Sequence, residues 1–208
     1  MGKIILTKII NALKKLYIPK CALNYKTDFQ LLVSVILSAQ CTDKQVNLVT
    51  PKLFEKYKNI NDFANAKLSE LEKLIKSTGF YKNKAKSIKN AASEIIKNYN
   101  GKIPDKIDEL TKISGIGRKT ANVILAEIYQ KAEGIVVDTH IKRLSYRIGL
   151  TKNTIPEKIE IDLMAVIPKK YWIDFAHLLI SHGRNICKAR KPLCGKCQIK
   201  KYCQKNGL

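Results

Sequence analysis

Cys187, Cys194, Cys197 and Cys203 stand with six, two and five residues between successive members, in a chain with only two other cysteines. Thiolates are soft ligands, and four this close together can hold a metal centre or pair as disulfides. A structural zinc ribbon ordinarily pairs two C-x2-C clips, and this run contains one. Uneven spacing around a single C-x2-C suits a [4Fe-4S] cluster. Two disulfides would need an oxidising compartment, and no signal peptide points to one. The spacing leaves all three open, with the iron-sulfur cluster first.

A second constellation lies in Leu110-Thr-Lys-Ile-Ser-Gly-Ile-Gly-Arg-Lys-Thr-Ala-Asn-Val-Ile-Leu125. A short helix is expected to end near Ile113, with a tight turn at Ser114 to Gly117 and a second helix from Arg118. Gly115 and Gly117 free the backbone around Ile116 and expose N–H donors at a helix N-terminus, where the dipole favours an anion. Ile116 is placed to tuck inward and pin the turn. This is the pattern of a helix-hairpin-helix, which grips a DNA phosphate without reading sequence, against the plainer reading of an ordinary αα-hairpin with a glycine turn. The longer G-x4-G-K-[ST] spacing of a phosphate-binding P-loop is absent.

Lys119 lies in the first turn of that second helix. Most lysines are solvated, but the helix N-terminus and the cations Arg118 and Lys112 disfavour its ammonium form and push it toward a nucleophilic amine. Asp138 follows Ile135-Val136-Val137 and precedes Thr139-His140-Ile141. It reads as the N-cap of the next helix, which would also hold a catalytic carboxylate rigid. His140 by itself would more often be structural.

The elements that must position these groups are helical nearly throughout. Apolar periodicity predicts helices over 3–17, 28–39, 43–58, 68–77, 81–99, 118–130, 139–149, 156–166 and 171–187. Asp28 and Ser69 look like helix starts, and Gly79, Gly101, Gly134 and Gly149 lie near ends. Only Gly134 to Val137 reads as extended, too short for a sheet, so the chain is all-α. At 208 residues it can bury one large core or two small ones, and its longest apolar run, Leu31 to Ala39, is far too short to cross a bilayer. The amphipathic stretch at Met1 to Tyr17 reads as a first helix rather than a targeting segment. Cys21 and Cys41 read as small core residues.

The formal charge is +22, from 39 basic and 17 acidic residues. This favours a polyanion, nucleic acid ahead of an anionic membrane surface. Of the basic residues only five are Arg, and Ile and Asn are abundant, a bias an A+T-rich coding sequence would produce. Part of the charge therefore records codon usage.

Ser38-Ala-Gln-Cys-Thr-Asp43, Gly79-Phe-Tyr-Lys-Asn-Lys-Ala85, Gly115-Ile-Gly-Arg-Lys-Thr-Ala-Asn122, Val137-Asp-Thr-His-Ile141 and the cysteine tail occur in that order. Together they resemble the endonuclease III family, iron-sulfur DNA glycosylase/AP lyases of base excision repair. The resemblance spans nearly the whole chain. It resolves the cysteine tail toward a [4Fe-4S] cluster.

The family fold implies two α-helical domains flanking a DNA-binding cleft. Residues 21–131 would form the six-helix domain, with the hairpin at about 108–130. Residues 1–20 and 132–208 would form the iron-sulfur cluster domain. The resemblance makes Lys119 the nucleophile that attacks C1′ of a flipped-out damaged nucleotide, forms a Schiff base and cuts the strand 3′ to the lesion by β-elimination. Asp138 would stabilise charge on the sugar. Gln40 matches the residue that fills the space left by the flipped base. Phe80 stands where the family often has an aliphatic wedge, with a core aromatic in a helix cap as the alternative. Ser38 and Asp43 are expected near the pocket, and Gly115, Ile116, Gly117 and His140 at the DNA.

The cluster would order Lys188-Ala-Arg-Lys-Pro-Leu193, presenting Lys188, Arg190 and Lys191, joined by Arg184, to phosphate. Ser114 occupies a turn position where proline is common, which predicts a slightly looser hairpin. The implied substrate is double-stranded DNA carrying an oxidised pyrimidine or abasic site, handled by a monomer in a reducing cytoplasm with no membrane association. An adenine glycosylase of the same superfamily is the nearest rival. Lys119 and a chain that stops soon after Cys203 argue against it. A non-catalytic DNA-binding module is the rival of another class, and the retention of both Lys119 and Asp138 argues against that.

Overall fold

The computed structural model describes residues 3–208, and α-helices with short 3-10 turns are the regular structure among them. The helices are α1 (Lys3–Lys14), α2 (Asp28–Ser38), α3 (Asp43–Lys56), α4 (Ile60–Ala64), α5 (Leu68–Ile75), α6 (Tyr81–Tyr99), α7 (Ile107–Leu110), α8 (Arg118–Tyr129), α9 (Thr139–Ile148), α10 (Pro156–Val166) and α11 (Trp172–Asn185). The chain divides into two compact units, one made of residues 21–131 and the other of residues 1–20 with 132–208.

In the 21–131 unit, α2 is apolar on every side, and Leu31 through Leu37 are all buried. A helix apolar all round must be surrounded, and α3, α6 and α8 pack against it. Phe63 of α4 is buried beneath Phe29, Phe54 and Tyr57, with ring centroids 5.4, 6.4 and 5.1 Å away. Cys21 and Cys41 are half-buried against this core. In the other unit α1 contributes Leu6, Ile9, Ile10 and Leu13 to a core shared with α9, α10 and α11. The helix expected over 3–17 stops at Lys14. Met1 and Gly2 lie outside the described residues.

Several local expectations are corrected. The cap of α2 is Thr27, whose hydroxyl accepts from Gln30 N at 3.2 Å, and Asp28 is the first helical residue. Ser69 lies inside α5, which starts after Lys67 with no side-chain cap. By contrast, the Gly134 to Val137 segment makes no strand, in line with an extended stretch too short for a sheet. Helix α4 is too short for periodicity to reveal, but it carries a capping box. Asn59 Oδ1 accepts from Asp62 N and Asp62 Oδ2 accepts from Asn59 N, each at 3.1 Å.

Candidate functional site

The glycine turn joins α7 to α8. Gly115 has φ +77°, and a Cβ built on it would lie 2.6 Å from Ser87 Cβ of α6, so both backbone conformation and space demand glycine there. Ile116 is buried as its spacing predicts. Gly117 is the N-cap of α8, its backbone open to space, and no side chain caps the helix. The first N–H groups of α8 therefore lack the side-chain acceptor that ordinarily occupies them. Ser114 does not loosen the turn. Its N–H donates to Glu94 Oε2 at 2.8 Å and its hydroxyl to Glu94 Oε1 at 3.0 Å. This two-point clamp on α6 supplies the restraint expected from a proline. Lys119 is exposed in the first turn of α8, beside Arg118.

Two further predicted residues lie in the same unit. Gln40 (φ 52°) and Phe80 (φ 46°) both adopt left-handed backbone, uncommon for side chains of their size. Gln40 is exposed. Phe80 is 63% exposed, which overturns the alternative of a core aromatic. Ser38 turns its hydroxyl back to Val35 O at 2.8 Å, and Asp43 opens α3 half-buried behind the Thr42 cap.

In the other unit Asp138 is the N-cap of α9, its Oδ1 accepting from Ile141 N at 2.8 Å. His140 lies half-buried one turn before Arg143, whose Nη2 is 3.2 Å from His140 Nδ1. Arg143 also donates to Gly183 O and Cys187 O, each at 3.1 Å. Burial pulls the Arg143 guanidinium below its ordinary pKa, while the facing Cys187 supports its charge. Gly183 permits this approach of α11 to α9, because a Cβ there would sit 2.8 Å from His140 Nδ1.

The four closing cysteines line one pocket with Leu144, His182 and Ile199. All are free thiols, so the disulfide reading fails. Among the described residues no three His, Cys, Asp or Glu side chains converge closely enough to hold a single metal ion. Four thiols lining one pocket are the donor set that a [4Fe-4S] cluster takes. Burial raises the Cys197 and Cys203 pKa values, and the facing thiolates of Cys187 and Cys194 add to both shifts. Such a donor set calls for a cationic centre.

The loop is tied to α9 by Arg147, which donates to Lys188 O at 2.8 Å, Ala189 O at 2.9 Å and Cys187 Sγ at 3.4 Å. Lys188, Arg190 and Lys191 are exposed on this loop, and Arg184 is exposed on α11 just before it. Sequence reasoning missed Glu94, Arg143, Arg147 and buried His182, whose Nε2 lies 3.4 Å from Cys197 Sγ. For the two arginines a signal existed, since they are two of only five in a lysine-rich chain. Glu94 carried none.

Residues 33–169 match the HhH-GPD superfamily base excision DNA repair protein model, and residues 187–203 match the iron-sulfur binding domain of endonuclease III. Endonuclease III of Synechocystis sp. is 51% identical over 198 residues, covering 95% of this chain and 90% of that one. Endonuclease III of Bacillus subtilis is 44% identical over 187 residues, covering 89% and 84%. The structure of a trapped endonuclease III–DNA covalent intermediate aligns with a TM-score of 0.91 at 39% identity, covering 99% of this chain and 97% of that one. A thermostable thymine-DNA glycosylase shares the fold at 23% identity with a TM-score of 0.83. With the hairpin, the capped aspartate and the four-thiol pocket in place, these likenesses agree with one another: the chain belongs to the endonuclease III family of base excision DNA repair proteins, DNA glycosylases with AP lyase activity that carry a [4Fe-4S] cluster.

Proposed function

We propose that Lys119 and Asp138 carry the glycosylase and lyase chemistry of this chain on duplex DNA containing an oxidised pyrimidine or an abasic site. The observation that supports this reading most is the exposed Lys119 in the first turn of a helix with no side-chain cap, entered through Gly115-Ile-Gly117. Phosphate on those N–H groups would fix the backbone beside the amine. The Lys119 amine attacks C1′ of the everted nucleotide, and the glycosidic bond breaks with its electron pair leaving on the base. Loss of the amine proton and opening of the sugar leave an iminium between Nζ and C1′. A base then removes a C2′ proton, the C3′–O bond breaks with its electrons going to the phosphate, and water releases the lysine.

Asp138 supplies a fixed negative charge against the cation building on the sugar. Gln40 and Phe80 occupy the distorted duplex. Gly115, Ile116, Gly117 and His140 face its backbone. Ser38 and Asp43 lie toward the lesion pocket. Cys187, Cys194, Cys197 and Cys203 hold the cluster, which when bound supplies structural order rather than hydrolysis. Lys188, Arg190, Lys191 and Arg184 meet phosphates. The chain acts as a monomer in a reducing cytoplasm, which would keep the thiolates available to iron.

Borohydride trapping on thymine-glycol and abasic duplexes tests the assignment. A covalent adduct is expected with the native chain and its loss, by roughly a thousandfold or more, in Lys119→Ala. An undiminished adduct in that variant would move the nucleophile elsewhere.

A further inference from the structure

Gln40 and Phe80 are joined by a residue of the Gly79 to Ala85 motif to which the chemistry above gives no role. Lys84, in the first turn of α6, is only 5% exposed. Its ammonium donates to Leu37 O and to Thr78 O, each at 2.8 Å. A buried ammonium ordinarily seeks a carboxylate, and here both partners are main-chain carbonyls.

Both carbonyls lie at helix C-termini. Leu37 is in the last turn of α2, and Thr78 ends the 3-10 turn Lys76–Thr78. The last turn of α2 shows how its carbonyls are satisfied. Val35 O accepts from Ser38 Oγ, Ile36 O from Ala39 N and Ser38 O from Cys41 N, leaving Leu37 O to Lys84. A cation at these ends also complements the negative end of each helix dipole. Gln40 follows Leu37 by three residues and Phe80 follows Thr78 by two. Both leave their helices through left-handed backbone that costs energy unless its surroundings hold it. A second tie, Gln45 Nε2 to Ser77 Oγ at 2.8 Å, spans from α3 to the same 3-10 turn.

We propose that Lys84 is a positioning residue for base eversion: its buried ammonium bolts the segment after α2 to the segment before α6 and presents Gln40 and Phe80 to the duplex as a rigid pair. The inference rests on the reading that these two side chains enter DNA. A pair fixed before contact spends no binding energy on ordering itself, so the effect falls on the opening of the duplex rather than on the lysine chemistry.

Lys84→Met keeps the aliphatic stem and removes the donors. Eversion is read by stopped-flow fluorescence of 2-aminopurine placed opposite the lesion. Borohydride trapping on a single-stranded abasic oligonucleotide, which has no duplex to open, is measured alongside. Eversion at least tenfold slower, with single-strand trapping within twofold of the native chain, is the expected result. Should Lys84→Met fail to fold by circular dichroism, Lys84→Gln, with two shorter-reaching N–H donors, is read against the same two assays.

Unchanged eversion, or both assays falling in proportion, overturns the role. Gln40→Ala and Phe80→Ala separate the two possible failures. If they evert at the native rate, the reading of Gln40 and Phe80 is wrong and the inference falls with it. If they are slow while Lys84→Met is not, that reading stands and the inference about Lys84 alone falls.

Discussion

The Asp138 carboxylate caps α9 through Oδ1, and the negative charge proposed for catalysis belongs to the same group. Asn is about as good an N-cap as Asp, so Asp138→Asn separates the two roles. Its melting temperature is expected to stay within about 2 °C of the native value, while single-turnover base excision falls by about a hundredfold or more. Asp138→Ala loses the cap as well, at a further cost of about 1 kcal/mol in denaturant unfolding. A native excision rate in the Asn variant would confine Asp138 to capping. Asp138 was legible from sequence because an N-cap is a local event, decided by the residue and the N–H groups that follow it. Phe80 was left between a wedge and a core aromatic, because its exposure depends on how the left-handed turn at Gly79 and Phe80 aims the ring.

At the scale of elements, the hairpin depends on a residue twenty positions before it. Glu94→Ala removes both hydrogen bonds to Ser114 and is expected to destabilise the chain by about 1–3 kcal/mol while weakening abasic-DNA binding. Ser114→Pro abolishes the same donors. The double mutant should therefore cost less than the sum of the two singles, a coupling readable by denaturant melts and fluorescence anisotropy. Additive costs would mean that Glu94 acts on something other than the turn.

A second device ties the segment after α9 to α10. Asp162 accepts from Thr151 Oγ1 and, at 2.7 Å, from Asn153 Nδ2, and these two bonds hold its pKa below the ordinary 3.8. A carboxylate depressed in this way contributes stability above its unfolded pKa and loses it as pH falls through the folded value. Acid titration of Asp162→Asn should accordingly lack that part of the destabilisation below about pH 4. The helices themselves were legible from periodicity, including α6, whose predicted 81–99 matches its observed span. Helix α4 escaped because five residues are too few for a 3.6-residue repeat to register.

At the scale of the molecule, the proposed phosphate contacts and the cluster that would order them are tested together. If Lys188, Arg190 and Lys191 each neutralise a phosphate, replacing all three with Ala should lower the slope of log K against log salt by about 2–3. An unchanged slope would place the phosphate contacts elsewhere among the basic residues. Cys197→Ser should lose absorption near ~400 nm and bind abasic DNA more weakly, because the loop carrying those cations loses its anchor. Single-strand trapping, proposed for Lys119 in the other unit, should fall less. Normal abasic-DNA affinity in a preparation shown to lack the cluster would sink the ordering role.

From the sequence alone come the all-α class, the family, the cluster type and the candidate chemistry at Lys119 and Asp138. Each rests on residue types, short spacings and the order of motifs along the chain, which the covalent chain already determines. Only the tertiary structure decided that Glu94 clamps the hairpin, that Arg143 and Arg147 tie the cysteine loop to α9, and that Lys84 joins the segments bearing Gln40 and Phe80. Those contacts depend on which helix faces pack together, and the four thiols share the dependence. Their spacing alone fits a metal ion, a cluster or disulfides, the ordered motifs of the whole chain pick the cluster, and folding gathers the four around one pocket.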